Sequence, residues 1–212
     1  MILTIAHTKG GVGKSTLLWN IACEFSRQKK EFIVIDLDHQ KTIFNLNEYV
    51  RKKSKLKVYT ASNLHQLEDI FTTHKDKMIL IDTGGNDAQV NKQAILQSHI
   101  LITPIGNDSI TEAIGFKKFE AILHELNTPK IKVVFTNIRP NTKNFQDISQ
   151  VVQSYQKTDI LKSVITNRQI YKQSTGQGVG VTELPQSKNK ALNQKISKAS
   201  NEIKELLKEL EI

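Results

Sequence analysis

The residues that could do chemistry are concentrated near the start of the chain, in the run Lys9-Gly10-Gly11-Val12-Gly13-Lys14-Ser15-Thr16. Glycines let backbone N–H groups converge on an anion, while a lysine and a hydroxyl can bind phosphate oxygens and Mg²⁺. The general phosphate-binding loop has glycine at the position of Thr8, so this run fits a variant form, KGGxGK[ST], with a second lysine at its front. The spacing predicts binding and hydrolysis of a nucleoside triphosphate.

The side chains of the predicted loop have separate roles. We expect Lys14 to reach the β- and γ-phosphates, Ser15 to place its hydroxyl on Mg²⁺, and Thr16 to contact the α-phosphate. A glycine turn that binds nothing is the alternative, and the two lysines and the hydroxyl pair argue against it. The backbone N–H groups of the loop come from Lys9, Gly10, Gly11, Val12 and Gly13.

This loop and its surroundings resemble the ParA/MinD family of deviant Walker-type ATPases, and Lys9 corresponds to the family's signature lysine. The resemblance extends over nearly the whole chain. It is strongest to the small ParA proteins of plasmid partition, which lack an N-terminal DNA-binding extension. The resemblance implies ATP and Mg²⁺ as cofactors and an ATP-dependent homodimer, in which Lys9 crosses the interface to the partner's nucleotide.

Two apolar runs end in acids that match further motifs of this family. In Ile33–Asp38, the acids Asp36 and Asp38 are two residues apart, so in an extended strand both point towards the phosphates. By the resemblance, Asp38 orients the attacking water and Asp36 joins the Mg²⁺ hydration network. Asp82 ends the second run and matches the Walker B acid, which holds Mg²⁺ through water. Solvated acids at strand ends are the alternative interpretation.

Two neighbouring sequences bear on how these acids act. Thr83-Gly84-Gly85 follows Asp82, and adjacent glycines suit a switch loop that senses the γ-phosphate, although an ordinary glycine turn would have the same composition. The family often has proline where His39 stands, so the turn after Asp38 is expected to differ locally.

Recognition of the base is assigned to Asn137 and Pro185. Asn137 ends an apolar run, and its amide both donates and accepts, which matches the two hydrogen-bonding positions on the edge of adenine. The family has an asparagine there and a proline beside the base, which Pro185 resembles. The alternatives are a turn-forming asparagine before Arg139-Pro140 and a proline that delimits the last helix.

Short apolar runs alternate with longer mixed segments, which is the pattern of βα units and a mainly parallel sheet. We therefore predict an α/β fold, a single P-loop NTPase domain over residues 1–212 with helices on both faces of a twisted sheet. The ligands should gather at the carboxyl edge of the strands. The predicted strands lie near residues 2–6, 32–37, 57–60, 78–82, 100–104, 132–137 and 163–166.

Composition narrows the protein class. A chain of 212 residues with 38% hydrophobic side chains can bury a sizeable core. Its one cysteine, Cys23, excludes an internal disulfide and a site with several cysteine ligands, and its apolar neighbours predict a packed thiol. The sequence has no apolar run long enough to cross a bilayer, and Met1 is followed at once by an apolar strand. We expect a cytoplasmic protein without a signal peptide.

The net charge of +9 is unevenly distributed and favours a polyanionic partner. Aromatic residues do not alternate with the basic ones, so double-stranded DNA without sequence preference fits better than stacked single strands. A second basic cluster at residues 51–57 is explained as well by a solvated helix end. The predicted DNA contacts are Arg168, Lys172, Lys188, Lys190, Lys195 and Lys198.

The last 17 residues can be compared with the membrane-binding helix expected of a MinD-like ATPase. Apolar residues at 196, 203, 206, 207 and 210 share one helical face, but glutamates are mixed with the lysines, unlike a basic membrane-surface helix. We therefore expect this helix to pack on the domain, with no stable membrane association.

Together these observations predict an ATP-dependent dimerising switch that hydrolyses ATP slowly, binds DNA in the nucleoid and partitions plasmid or chromosomal cargo. By resemblance, a centromere-binding protein of the ParB type would stimulate turnover. Three alternatives stay open: a MinD-like or protein-cargo positioning ATPase, a P-loop kinase or ligase acting on a metabolite, and a scaffold that binds nucleotide without hydrolysing it.

Overall fold

The computed structural model describes residues 1–85, 88–106, 110–128, 130–142 and 145–212. The strands are β1 (Ile2–Ile5), β2 (Phe32–Asp36), β3 (Val58–Thr60), β4 (Met78–Asp82), β5 (Ile100–Ile105), β6 (Ile131–Ile138) and β7 (Thr158–Thr166). The α-helices are α1 (Lys14–Arg27), α2 (Thr42–Asn45), α3 (Leu64–Thr73), α4 (Gln89–Leu96), α5 (Ile110–Glu125), α6 (Gln146–Gln153), α7 (Gln169–Gly176) and α8 (Lys190–Glu209). A π-helical turn follows α2 at Leu46–Val50, and a 3₁₀ turn precedes α8 at Val181–Glu183.

In the described residues the strands form one parallel sheet in the order β3-β2-β4-β1-β5-β6-β7. Chain order reverses beside β1, which lies between β4 and β5, and ligands of open α/β sheets bind at such a point. The register pairs Ile5 with Asp82 and Asp36 with Asp82. The carboxyl ends of the three strands that carry the predicted chemistry are therefore adjacent.

Apolar residues on both faces of each central strand are covered by helices. On one face, α1 and α8 pack over Leu3, Leu80 and Val134. On the other face, α5 and α6 cover the β5–β6 half of the sheet, and α3 and α4 cover the β2–β4 half. Strands buried on both sides are typical of parallel sheets, and the predicted α/β fold class is confirmed.

The last helix packs on the domain as predicted. Ile196, Ile203, Leu206, Leu207 and Leu210 are all buried in the same core cluster as α1. Among the helices of the described residues, none combines the length and apolarity that crossing a bilayer requires.

β7 begins at Thr158, well before the predicted start at residue 163. The polar residues Thr158, Asp159 and Lys162 hide this strand in the sequence, because β7 is the edge of the sheet and one side of it is not covered by another strand. Glu209 of α8 accepts hydrogen bonds from the Lys162 and Ser163 backbone N–H groups at 2.6 and 2.9 Å. A carboxylate thus satisfies part of the edge that would otherwise be open to another strand.

A solvated helix end is the interpretation given above for the basic cluster at residues 51–57. That interpretation is wrong for Arg51, whose side chain is buried. The side chain of Arg51 is 1% exposed and makes a two-pronged ion pair with Glu183, at 2.8 and 2.9 Å. Arg51 also donates to the Gly178 and Ser54 carbonyls. Burial opposes ionisation of Glu183, but hydrogen bonds from the Arg51 guanidinium and the Gly180 backbone, with the charge of Arg51, together hold the pKa of Glu183 below its usual value.

Arg51→Met is therefore expected to lower the free energy of unfolding by about 3–5 kcal/mol, because it leaves the buried Glu183 carboxylate without its cation. Equilibrium urea denaturation measures this. Lys52→Met, at the exposed neighbouring residue, should stay within about 0.5 kcal/mol of the wild type. Equal losses in the two variants would contradict a structural role for the buried pair.

The single thiol, Cys23, is buried in the α1 core, and burial raises its pKa. Its sulfur lies 3.5 Å from the Arg51 guanidinium. The predicted packed thiol is confirmed.

Candidate nucleotide-binding site

A cleft of about 790 Å³ opens at the carboxyl edge of the sheet. The loop between β1 and α1 forms its floor, the turns after β2 and β4 one side, and the ends of β6 and β7 the other. Its lining includes Gly10, Gly11, Gly13, Lys14, Ser15, Thr16, Asp38, Gly85, Thr136, Asn137, Ile165, Thr166, Asn167, Arg168, Tyr171, Lys172 and Ile203.

The loop is folded as an anion cradle at the N-terminus of α1. Gly11 and Gly13 have φ of +77° and +96°, which only glycine adopts readily, and Gly13 stands immediately before the helix. Strand β6 holds the loop from the side, because the Thr136 hydroxyl donates to the Val12 carbonyl at 2.6 Å. The loop therefore has the shape needed to bind phosphate.

Lys14 is largely buried at the base of this cradle, and its Nζ donates to the Lys9 carbonyl at 3.2 Å. Burial lowers the pKa of Lys14, while the carboxylates of Asp82 and Asp38 oppose that shift. A desolvated ammonium between two acids and a ring of N–H groups is well placed to neutralise phosphate oxygens.

Asp82 is fully buried, and neither carboxylate oxygen has a hydrogen-bond partner among the described residues. Burial raises the pKa of Asp82 to about 8, and the neighbouring Ser15 hydroxyl and Lys14 ammonium act in the opposite direction. An unpaired buried carboxylate is costly unless a cation or water completes it. Together with Ser15, it fits a Mg²⁺ ion that takes few protein oxygens and keeps several waters.

Asp36 has a structural role that the sequence did not indicate. One oxygen accepts from the Ile43 and Phe44 backbone N–H groups at 2.9 and 3.0 Å, and the other accepts from Asp38 N at 3.2 Å. Burial raises the pKa of Asp36, and these backbone bonds lower it. Asp36 thus ties the start of α2 to the end of β2, and its place in a Mg²⁺ network stays a prediction.

Asp38 lies on the cleft wall, with 16% of its side chain exposed. Its Oδ1 accepts from Gln40 N at 2.9 Å and is 3.2 Å from His39 Nδ1. These contacts shape the turn that has histidine in place of the family's proline, and they hold the carboxylate at the cleft.

Lys9, predicted to bind nucleotide, is not among the residues that line the cleft. Its Nζ pairs with Glu112 of α5, whose second oxygen accepts from Gly106 N at 3.3 Å. The Lys9 backbone N–H donates to His7 Nδ1 at 2.9 Å. Burial, together with Lys14 and Lys9, lowers the pKa of His7 to about 3, so the ring is neutral and accepts this bond. Within one chain, the signature lysine is held beside its own site.

Gly85, in the turn after β4, lies against the backbone of the loop between β1 and α1. A Cβ at this position would lie 2.9 Å from the Thr8 carbonyl oxygen, so the turn after β4 approaches the phosphate loop backbone directly. The two loops are therefore in contact, and a switch role for the turn after β4 stays a prediction.

Gly85→Ala is expected to push these loops apart and to weaken nucleotide binding by about tenfold, a cost of about 1.4 kcal/mol, which is within the usual penalty for overpacking. Titration of a fluorescent ATP analogue measures the effect. Gly176→Ala is the matched control, because a Cβ there meets nothing within 4 Å. If Gly85→Ala binds as tightly as this control, the close contact has no bearing on the ligand.

Of the two residues predicted to recognise the base, Asn137 lines the cleft and Pro185 does not. Asn137 lines it in a left-handed conformation, with φ of 57°, and its Nδ2 donates to the Gly11 carbonyl at 3.1 Å. Its amide N–H therefore supports the phosphate loop, and recognition of adenine by Asn137 stays a prediction. Pro185 is exposed and is not among the residues lining the cleft.

The wall opposite the phosphate loop comes instead from the β7–α7 segment: Thr166, Asn167, Arg168, Tyr171 and Lys172. Sequence reasoning assigned Arg168 and Lys172 to DNA and missed the others. One available signal was that they end or follow the last predicted strand, whose carboxyl end meets the same edge of the sheet.

The predicted basic surface consequently separates into two groups. Arg168 is paired with Glu202 at 2.8 Å and faces the cleft with Lys172. The other four lysines are exposed in the first half of α8 and the turn before it: Lys188, Lys190, Lys195 and Lys198.

Comparison with known sequences agrees with this site. The family described as the CobQ/CobB/MinD/ParA nucleotide binding domain matches residues 3–181. Protein virC1 of Rhizobium radiobacter is 26% identical over 110 residues, which cover 49% of this chain and 48% of that protein. The match thus spans about half of virC1. Protein ParA of the same organism is 22% identical over 170 residues, covering 78% of this chain and 73% of that protein.

Solved structures share the fold. The MinC:MinD complex of Aquifex aeolicus superposes with a TM-score of 0.70 at 16% identity, covering 97% of this chain and 95% of that chain. A plasmid partition protein from Borrelia burgdorferi B31 bound to AMPPNP gives 0.61 at 18% identity, with 98% of both chains covered. The pNOB8 ParA bound to nonspecific DNA gives 0.64 at 16% identity, covering 99% of this chain and 98% of that chain. The variant phosphate loop, the acids at its edge and the match over residues 3–181 together show that the chain belongs to the CobQ/CobB/MinD/ParA family of nucleotide-binding domains.

Proposed function

We propose that this protein is an ATP-dependent dimerising switch that hydrolyses ATP slowly and binds non-specific double-stranded DNA for plasmid or chromosome partition. The observation that carries the proposal is the cleft, in which Lys14 and Asp38 line the phosphate loop. The buried Asp82 carboxylate lies behind it, close enough to Lys14 and Ser15 to interact with both. Family membership and the AMPPNP-bound and DNA-bound structural neighbours support ATP and DNA as ligands.

The residues divide the hydrolytic work between binding and orientation. Lys14 and the loop N–H groups would bind the β- and γ-phosphates, and Asp38 would orient the attacking water from the cleft wall. Ser15 and Asp82 would hold Mg²⁺, which supplies charge neutralisation to the developing negative charge on the phosphates. Asp36 would keep the Asp38 turn in place through its backbone bonds.

Dimerisation would bring the Lys9 ammonium of each subunit to the nucleotide of the other. Lys9 is held at the side of the cleft by Glu112, and in the dimer it would leave this partner for the nucleotide of the other subunit. Two subunits would then bring together two sets of α8 lysines, which multiplies phosphate contacts and makes DNA affinity depend steeply on ATP and salt. A ParB-type partner and a location on the nucleoid are parts of the same proposal.

The decisive experiment is binding to a random-sequence duplex with ATP, ADP or no nucleotide across a salt series, with dimer mass measured in parallel. Binding by a dimer only with ATP, lost in Lys14→Gln, is the expected result. Binding that ignores nucleotide would refute the switch. Absence of DNA binding, with ATP-dependent dimerisation retained, would favour the alternative of a MinD-like or protein-cargo positioning ATPase, which the structural likeness to MinD supports.

The DNA surface has its own prediction. Lys195→Ala/Lys198→Ala should weaken duplex binding and reduce the slope of log affinity against log salt by about 2, roughly one for each lost phosphate contact. Lys204→Ala/Lys208→Ala removes the same charge from exposed positions nearer the other end of α8 and serves as the control. Equal salt slopes in the two double variants would place the DNA surface elsewhere.

A further inference from the structure

Glu202 of α8 accepts hydrogen bonds from three residues of the β7–α7 segment. Its carboxylate accepts from Arg168 Nε at 2.8 Å, the Tyr171 hydroxyl at 2.9 Å and the Thr166 backbone N–H at 3.2 Å. Arg168 Nη2 is also 2.8 Å from Glu202. The Glu202 side chain is only 12% exposed, so these bonds form in a largely desolvated position where charge-assisted pairs are strong.

All three partners of Glu202 line the nucleotide cleft, as does Ile203 beside it on α8. A nucleoside triphosphate with its phosphates on Lys14 and the glycine loop directs its ribose and base away from that loop. The β7–α7 segment forms the wall of the cleft beyond Thr136 and Asn137, and therefore faces this part of the ligand.

We propose that Glu202 is a positioning residue for nucleotide recognition, which fixes Arg168 and Tyr171 on the wall that receives the ribose and base. The proposal rests on the proposed function, because it takes the ligand of the cleft to be ATP. An unrestrained arginine loses rotamer entropy when a ligand orders it, and a carboxylate that orders it beforehand removes much of that cost from ligand binding. The guanidinium N–H groups not used by Glu202 remain available to acceptors on the ligand.

A second glutamate on α8 separates this role from simple stabilisation of the sheet edge. Glu209 accepts from Lys162 N, Ser163 N and the Ser163 hydroxyl, at 2.6 to 2.9 Å. It ties the same helix to the same strand, but neither Lys162 nor Ser163 lines the cleft. Glu209 is therefore a matched control for Glu202.

The test compares Glu202→Gln with Glu209→Gln in the full chain, using titration of a fluorescent ATP analogue, steady-state KM and kcat for ATP, and thermal melting. Glu202→Gln should raise Kd and KM about tenfold with kcat within about twofold, as expected for loss of a charge-assisted bond that acts in binding. Glu209→Gln should leave KM unchanged while lowering the melting temperature. Equal KM values in the two variants would overturn the positioning role.

Two further variants keep the inference falsifiable if Glu202→Gln folds poorly. Tyr171→Phe removes the hydroxyl that bonds Glu202 and the Ala199 carbonyl while it keeps the packed ring, and it should raise KM about threefold. Arg168→Gln should raise KM at least as much as Glu202→Gln does, and the double variant should lose less than the sum of the two single effects, because both changes remove the Arg168–Glu202 pair. Additive losses would overturn the inference.

These outcomes are separate from those of the proposed function. Wild-type protein that binds ATP but no DNA would refute the partition switch, while the KM comparison would still decide the role of Glu202. ATP-dependent DNA binding with unchanged KM in Glu202→Gln would sustain the switch and overturn the positioning role. Wild-type protein that binds no nucleotide would overturn both.

Discussion

Asp38→Ala is expected to lower ATP hydrolysis by about a hundredfold or more, the usual range for a group that positions or deprotonates the nucleophile. ATP affinity should change by no more than about threefold, because Asp38 lies on the cleft wall and the phosphates bind to Lys14 and the loop N–H groups. The variant should therefore accumulate the ATP-bound dimer. Phosphate release with Mg²⁺ and DNA, measured beside binding of the fluorescent analogue, separates the two effects.

Asp38→Asn tests whether the charge or the turn is responsible. The asparagine amide oxygen can still accept the bond from Gln40 N, so the turn should survive while water activation is lost. Asp69→Ala, at an exposed residue of α3, is the control for a lost surface carboxylate. If Asp38→Asn hydrolyses ATP as the wild type does, the carboxylate acts only through the turn, and water orientation belongs to another residue.

Asp82→Asn is expected to raise the stability of the nucleotide-free protein and to abolish its ATP hydrolysis. The buried carboxylate lacks a hydrogen-bond partner among the described residues, so its replacement by a neutral side chain of the same shape should raise the free energy of unfolding by about 1–3 kcal/mol in EDTA. The same change removes the group proposed to hold Mg²⁺, and Mg²⁺-dependent ATP hydrolysis should fall below detection.

Urea denaturation in EDTA and phosphate release in Mg²⁺ measure the two halves of this prediction. Asp76→Asn, at an exposed acid before β4, should change stability by less than about 0.5 kcal/mol. A loss of stability in Asp82→Asn without Mg²⁺ would show that the carboxylate is already satisfied in the folded chain. Retained hydrolysis would move the metal site away from Asp82.

The nucleotide site was largely predictable because its parts are local. The phosphate loop is a continuous run whose glycines and lysines together indicate phosphate binding. Asp36, Asp38 and Asp82 lie at the ends of apolar runs long enough to identify as strands. Parallel strands place their carboxyl ends at one edge, so these runs could be brought together before any contact was known. The fold class follows from the same alternation of strands and helices.

Long-range pairing could not be predicted from residue types. Arg51 appeared to belong to a solvated basic cluster, yet its partner Glu183 lies 132 residues away, and only packing between α1 and the 3₁₀ turn buries the two together. Arg168 was counted with the DNA-contact lysines because residues 162–198 contain many more basic than acidic side chains. Its position in the cleft depends on Glu202, which α8 supplies from 34 residues further along the chain.

The sequence by itself determined the chemistry of the phosphate end, since that chemistry is encoded in short runs whose geometry each strand and turn dictates locally. The tertiary structure alone decided which charged groups are buried, which carboxylate is left without a partner, and which residues form the wall facing the rest of the ligand. Those properties depend on how helices cover the sheet, because burial and pairing are set by groups far apart in the chain.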